Sequence, residues 1–240
     1  MLNIMLKRAY DDLNNRIIDL NRYIFLDDVT IEYKDFGTTY DDQTYTGGQV
    51  CLESRKIQIN KFIFEREFKI ANRYNIKSLR KKARELYYKC IETIKHELIH
   101  LYLYEKYFTF SSSFGNTLYH DESPIFIIYC ILCDASIGDV ARESSMYGMS
   151  AIFANFYRDK YGVDLFEFNN LLRLQLRNKQ TYDYFTAYSW FEKKILEYKD
   201  KGEEFLVEKQ DKDVYETLKN RIIDRLDSWE VVLKLDSEAC

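Results

Sequence analysis

The chain contains three histidines among its 240 residues, and two of them lie in the segment HELIH, residues 96–100. In an α-helix His96 and His100 are one turn apart on the same face, so both imidazoles can bind one metal ion. Glu97 is placed to accept a proton from a zinc-bound water, whose pKa the ion lowers towards about 7. The spacing predicts a zinc-dependent hydrolase in which Glu97 is the general base.

A third metal ligand has to come from elsewhere in the chain, because a catalytic zinc ion usually has three protein ligands and one open position. His120 is the first candidate, since it lies twenty residues after His100, beyond a loop and shortly before a predicted helix. Glu122 and Glu143 are alternatives, because two histidines and a glutamate form another common zinc ligand set. We therefore expect His96, His100 and His120 as ligands, with an acidic third ligand as the alternative.

The elements that must position these residues follow from the hydrophobic pattern. Residues 75–108 predict one long helix that carries HELIH and has an apolar stripe facing the core. Apolar residues alternate in three short segments, 29–36, 49–54 and 56–62, and the last two are joined by a tight turn near Ser54 and Arg55. We expect a small three-stranded antiparallel sheet packed on the long helix.

Helices are predicted at both ends of the chain. Residues 1–26 have helical periodicity, and Ser123 followed by Pro124 is a helix-start signal for the apolar run 125–133. Further helical patterns cover 146–160, 164–178, 182–200 and 212–234. The predicted fold is mainly helical α+β, with a metallopeptidase domain in residues 1–140 and a helical extension of unknown role in residues 141–240.

Composition limits the class of protein. Hydrophobic residues make up 46% of the chain and aromatic residues 16%, which excludes a disordered chain and a small disulfide-stapled fold. The longest apolar run, residues 125–133, is shorter than the roughly 20 residues of a membrane helix. The five cysteines are an odd number, and Cys130 and Cys133 lie in an apolar segment as expected for buried thiols. We expect a soluble cytoplasmic protein without a membrane partner.

The order of these elements resembles a known family. A glycine followed by a hairpin in TGGQVCLESRKIQINKFIF (46–64), HELIH on a long helix and a histidine about twenty residues later are similar to the SprT-like zinc metalloproteases, which include Spartan. The resemblance covers roughly residues 5–135. It implies a Zn²⁺-dependent endopeptidase acting on a protein substrate, with DNA or a DNA-bound protein as a partner. The chain departs from the family in having Asp121, and no glycine, after His120.

Two other functions fit the same residues. ImmA-like peptidases, which cut regulators and repressors, also use HExxH and have an acidic third ligand at the start of a later helix, a part that Glu122 would play. The segment of 35 residues between Asn60 and His96 is longer than expected for that family. The third possibility is a non-enzymatic protein that is stabilised by a metal ion and binds a partner through its C-terminal helices.

A basic segment precedes the motif. Residues 61–95 carry eleven basic and four acidic side chains, a net charge of +7, although the whole chain has a net charge of −4. Arg80, Lys81 and Lys82 lie in its densest part and are the candidate contacts to nucleic-acid phosphates. The alternatives are a solvated helix face and a docking surface for the acidic residues 201–240.

Overall fold

The computed structural model of the protein describes residues 1–36, 47–66, 77–111, 118–144, 147–161 and 165. All of them lie within one compact unit, Met1–Ser189. The predicted helices beyond residue 165, and with them most of the predicted C-terminal extension, lie outside the described residues. The boundary between residues 140 and 141 stays a prediction.

The three predicted strands are present and form one sheet. They are β1 (Thr30–Lys34), β2 (Gly48–Cys51) and β3 (Lys56–Asn60), in the order β1-β3-β2. Strand β3 is antiparallel to β2 but parallel to β1, so the sheet is mixed and the prediction of an antiparallel sheet was wrong for the β1–β3 pair. A turn of four residues, 52–55, imposes antiparallel pairing on β2 and β3. No such turn joins β1 to β3, and alternation of apolar residues does not specify a direction.

The predicted turn near Ser54 and Arg55 is confirmed, and it ties the sheet to the long helix. Arg55 has a positive φ of 51°, and its carbonyl accepts a hydrogen bond from Thr30 N–H at the start of β1. Its guanidinium donates to Glu105 Oε1 at 2.8 and 3.0 Å and pairs with Asp28 at 3.0 Å. Because Ile57 and Ile59 of β3 are fully buried, the sheet packs its apolar face on the core.

Six helices are described, with a 3₁₀ turn at Leu26–Asp28 and a π-helical turn at Lys61–Arg66. They are α1 (Leu2–Asn14), α2 (Leu20–Tyr23), α3 (Lys77–Ser111), α4 (Pro124–Leu132), α5 (Asp139–Glu143) and α6 (Tyr147–Tyr161). The mainly helical α+β fold is thereby confirmed. The apolar periodicity of residues 1–26 is also confirmed by burial, although the helix is interrupted between α1 and α2.

Helix α3 is the centre of the fold, and α1, α4, β2 and β3 all pack against it. Helix α4 has the sequence PIFIIYCIL and is buried over almost its whole length, because it lies between α3 and α6. Pro124 occupies the first turn of α4, as predicted, but the Ser123 side chain makes no capping hydrogen bond. Among the described residues, no helix is both long enough and apolar enough to cross a lipid bilayer.

Candidate metal centre

Helix α3 brings the two histidines of HELIH together, as the one-turn spacing predicts. The Nε2 atoms of His96 and His100 are 3.0 Å apart, and their ring centroids are 4.6 Å apart. Both side chains are mostly buried, with exposed fractions of 12%. The two imidazoles therefore present one nitrogen each to a common point.

Asp121 supplies the third group at this point. Its Oδ1 atom lies 3.1 Å from His96 Nε2 and 3.4 Å from His100 Nε2. Asp121 belongs to the turn before α4, in which Ser123 N–H donates to the carbonyl of His120 at 2.9 Å. Among the described residues, His96, His100 and Asp121 form the group that can hold a metal ion.

Backbone carbonyls fix the protons of both imidazoles. His96 Nδ1 donates to the Ser136 carbonyl at 2.8 Å, and His100 Nδ1 donates to the Tyr119 carbonyl. A carbonyl can only accept, so both protons are on Nδ1 and both Nε2 atoms carry lone pairs when the rings are neutral. Asp121 Oδ1, which is buried, has no hydrogen-bond partner. Three electron-pair donors thus face one another, an arrangement that can hold a cation between them.

The separations of these three atoms fit a metal ion. In a tetrahedral site with metal–ligand bonds of about 2.0–2.2 Å, the ligand atoms are about 3.3–3.6 Å apart. The separations here are 3.0, 3.1 and 3.4 Å. A tetrahedral ion bound by these three atoms keeps one coordination position for a non-protein ligand.

The pKa values of the metal-free centre show the same demand for positive charge. Burial lowers the pKa of His96, but the Asp121 carboxylate and the Cys130 thiol outweigh burial and raise that pKa well above its ordinary value. Burial raises the pKa of Asp121, yet the two histidines bring it far below the ordinary range. Both shifts favour positive charge between the imidazoles and the carboxylate.

Glu97 lies beside the three ligand candidates and is almost fully buried, with 3% of its surface exposed. Burial raises the pKa of its carboxyl group, while the two histidines and a hydrogen bond with the Val50 backbone partly offset this effect. Strand β2 approaches closely here: a Cβ atom added at Gly48 would lie 2.9 Å from Glu97 Oε1 and 2.9 Å from Thr93 Cγ2. The absence of a side chain at Gly48 thus makes room for the Glu97 carboxylate.

Side chains of helix α4 pack against both imidazoles. The Phe126 ring stacks on His100, with ring centroids 3.9 Å apart and an interplanar angle of 14°, and meets His96 edge to face at 4.8 Å. The buried thiol of Cys130 also contacts His96. These contacts restrict rotation of both rings, so the direction of their Nε2 atoms is set before any ion binds.

The remaining predicted ligands lie outside the group. His120 is exposed and its ring stacks on Tyr119 at 5.2 Å, and Glu122 and Glu143 are exposed as well. The structure thus places Asp121 where the sequence led us to expect His120. In this turn the Tyr119 carbonyl contacts the His100 ring, the Asp121 side chain faces the two imidazoles and the His120 side chain is exposed. The sequence signal that could have identified Asp121 is a carboxylate three residues before a helix start.

The other predicted features have simpler outcomes. Cys130 and Cys133 are buried free thiols, as expected. Lys81 and Lys82 have exposed side chains, and Lys81 lies 3.8 Å from Glu85. The side chain of Arg80 and residues 201–240 lie outside the described part of the chain.

A cleft of about 340 Å³ between α1 and α3 is lined by residues such as Arg8 and Glu92 and includes none of the metal-centre residues.

No protein-family model, curated protein or solved structure matches the chain. The SprT-like and ImmA-like resemblances therefore stay predictions from the residues.

Proposed function

We propose that the protein is a zinc-dependent metalloendopeptidase in which His96, His100 and Asp121 hold Zn²⁺ and Glu97 is the general base. The observation that carries the proposal is the convergence of three lone-pair donors, with both Nδ1 protons held by backbone carbonyls, beside a buried carboxylate that is not one of the three. Structural zinc sites use four protein ligands and have no need of such a carboxylate.

The chain's own residues supply the acid–base chemistry of this reaction. Bound zinc lowers the pKa of water and polarises the scissile carbonyl. Glu97 accepts the proton of the attacking water on its carboxylate and transfers it to the nitrogen of the departing amine. The carboxylate that accepts the first proton is the group that releases it in the second step, so one buried side chain serves both steps. The hydrogen bond with the Val50 backbone holds the carboxylate in place.

A polypeptide substrate is favoured by the position of β2. This strand is at the edge of the sheet, and Val50 and Gly48 in it both lie against Glu97. An extended peptide that pairs with such an edge has its carbonyl groups next to the general base.

The acidic residue Asp121 helps to distinguish between the SprT-like and ImmA-like resemblances. Asp121 lies three residues before α4, which fits the ImmA-like pattern of an acidic ligand at the start of a later helix better than the three-histidine pattern expected for SprT-like members. A regulator or repressor is accordingly a substrate class to test first. Association with DNA rests on the SprT-like resemblance, with the exposed side chains of Lys81 and Lys82 as its support.

The proposal is tested by Glu97→Gln, which removes the base and leaves the three ligands. We expect the variant to bind one zinc ion per chain and to hydrolyse protein substrates about 10²–10⁴-fold more slowly than the wild type. Glu92→Gln is the matched control, because Glu92 is exposed and lies one turn before His96 on α3. Fragments formed from a cell proteome by wild type and by each variant are compared by mass spectrometry.

Two results would contradict the proposal. Wild-type protein that holds zinc but cleaves no protein in the proteome would favour the non-enzymatic, metal-stabilised alternative. Iron in place of zinc in the active protein would indicate oxygen chemistry, because two histidines and one carboxylate also form the ligand set of non-haem iron(II) enzymes.

A further inference from the structure

The connection between α4 and α5 carries the carbonyl that orients His96. Helix α4 ends at Leu132, Asp134 in the following turn has a positive φ of 50°, and residues 135–138 have no regular secondary structure. Within this connection the Ser136 carbonyl accepts the Nδ1 proton of His96 at 2.8 Å. The direction of His96 Nε2 therefore depends on whatever holds the connection against α3.

Lys95, the residue before His96 on α3, makes such a contact. Its Nζ atom donates to the Cys133 carbonyl at 3.0 Å and approaches the Asp134 carbonyl at 3.5 Å. The ammonium group also pairs with Asp12 of α1, and the side chain is only 6% exposed. A buried lysine that binds carbonyls two and three residues before Ser136 fixes the start of the connection.

A second anchor lies in the same turn of α3. Ser136 N–H donates to the Glu92 carbonyl at 3.0 Å. The connection is thus attached to α3 by Lys95 and by Glu92, and its Ser136 carbonyl accepts the hydrogen bond from His96 of the next turn. The three residues of α3 that make these contacts, Glu92, Lys95 and His96, lie within five consecutive residues.

Two other cations bind the same end of α4 from different elements. Arg16, which follows α1, donates to the Leu132 carbonyl at 2.9 Å and pairs with Asp134 at 2.8 Å. Arg158 of α6 donates to the Ile131 carbonyl. Cations at a helix C-terminus stabilise it by binding its free carbonyls and its dipole. Of these three cations, Lys95 alone belongs to the helix that carries the two histidines.

We propose that Lys95 is a positioning residue of the metal centre: by holding the Cys133 and Asp134 carbonyls on α3, it keeps the Ser136 carbonyl in place to orient His96. This inference rests on the proposed metal centre. Loss of a group that orients a ligating histidine weakens metal binding by about 10–100-fold, and Lys95 acts one contact further away. We therefore expect a loss near the lower end, about tenfold, when Lys95 is removed.

The test uses Co²⁺ alone as the probe, because its visible absorption reports the geometry of the ligands. Lys95→Met removes the ammonium group and preserves an unbranched apolar side chain. We expect about tenfold weaker Co²⁺ binding and an altered visible spectrum. Lys95→Arg retains a charged donor and is expected to restore both towards the wild type. Arg16→Met is the control, since it removes a charged hydrogen bond from the same helix end and should lower Tm without changing the spectrum.

The outcomes separate this inference from the metal centre itself. If Lys95→Met has the Co²⁺ affinity and spectrum of the wild type, the positioning role is overturned. An equal spectral change in Arg16→Met overturns it as well. Wild-type protein that binds no Co²⁺ overturns the metal centre, and this inference with it. If Lys95→Met does not fold, Lys95→Gln takes its place, with the same spectral change expected and the same result overturning the inference.

Discussion

Asp121→Asn replaces one oxygen of the metal centre by an amide nitrogen and separates metal binding from folding. In the metal-free protein the neutral amide can donate to the lone pairs of His96 and His100, which lie 3.1 and 3.4 Å from Oδ1. The carboxylate also lies against the His96 imidazole and raises its pKa, so the substitution removes this charge interaction and the amide contacts replace it. We therefore expect the metal-free variant to fold, with a Tm close to that of metal-free wild type.

The loss of metal affinity should be large. Apparent binding free energies of four-ligand zinc sites are about 10–16 kcal/mol, or about 2.5–4 kcal/mol for each ligand on average. A change of 1.4 kcal/mol is tenfold in a dissociation constant, so loss of the carboxylate should weaken zinc binding by about 100–1000-fold. The stabilisation of the folded protein by zinc should decrease together with the affinity, because it depends on the logarithm of the zinc concentration divided by Kd.

The assay measures zinc affinity by competition with a chromophoric chelator, and Tm with and without zinc. His120→Ala is the control, since the His120 ring is exposed and stacks on Tyr119 outside the ligand group. We expect its zinc affinity to equal that of the wild type. Loss of zinc in His120→Ala together with normal affinity in Asp121→Asn would refute the geometric argument and restore His120 as the third ligand.

Two further perturbations test neighbouring parts of the structure. Gly48→Ala places a Cβ atom 2.9 Å from Glu97 Oε1, so we expect the variant to retain zinc, to lose about 1–3 kcal/mol of unfolding free energy and to hydrolyse its substrate more slowly. Gly47→Ala is the control and should change little, because its added Cβ atom has its nearest contacts at 3.6 Å. Asp19→Asn removes the carboxylate that pairs with the buried Lys106 and should lower the unfolding free energy by about 3 kcal/mol at pH 7, while the Lys106 hydrogen bond to Tyr102 stays. Burial raises the pKa of Asp19, but the Lys106 and Tyr102 hydrogen bonds lower it overall, so this difference should be lost in denaturation measurements as the pH falls below about 4.

The sequence predicted which elements exist better than how they pair. The long helix, the hairpin and the helix start at Pro124 each have a local signal: apolar periodicity, a tight turn and a proline in the first turn. The direction of β1 relative to β3 has no local signal, because the same alternation of Ile31 and Tyr33 suits either direction. Long-range pairing is decided by the core, in which Ile57 and Ile59 of the central strand are buried.

The candidate site shows the same division between local and distant information. His96, Glu97 and His100 lie within one helical turn, so their spacing alone specified their mutual arrangement. The third group comes from a turn twenty-one residues after His100, where neighbouring residues point in different directions. Sequence distance could indicate this turn, but it could not choose between His120 and Asp121.

The geometry favours Asp121 over His120, and it depends on a backbone interaction that the residue types do not reveal. The Tyr119 carbonyl accepts the Nδ1 proton of His100, and the Ser136 carbonyl does the same for His96. These carbonyls fix the imidazoles and, through Tyr119, the path of the turn that brings Asp121 inwards. A residue that binds a metal ion through its side chain has to be of a ligating type, but a residue that orients a ligand through its carbonyl can be of any type. The supporting contacts of this centre, including those of Lys95 with the Cys133 and Asp134 carbonyls, are therefore visible only in the fold.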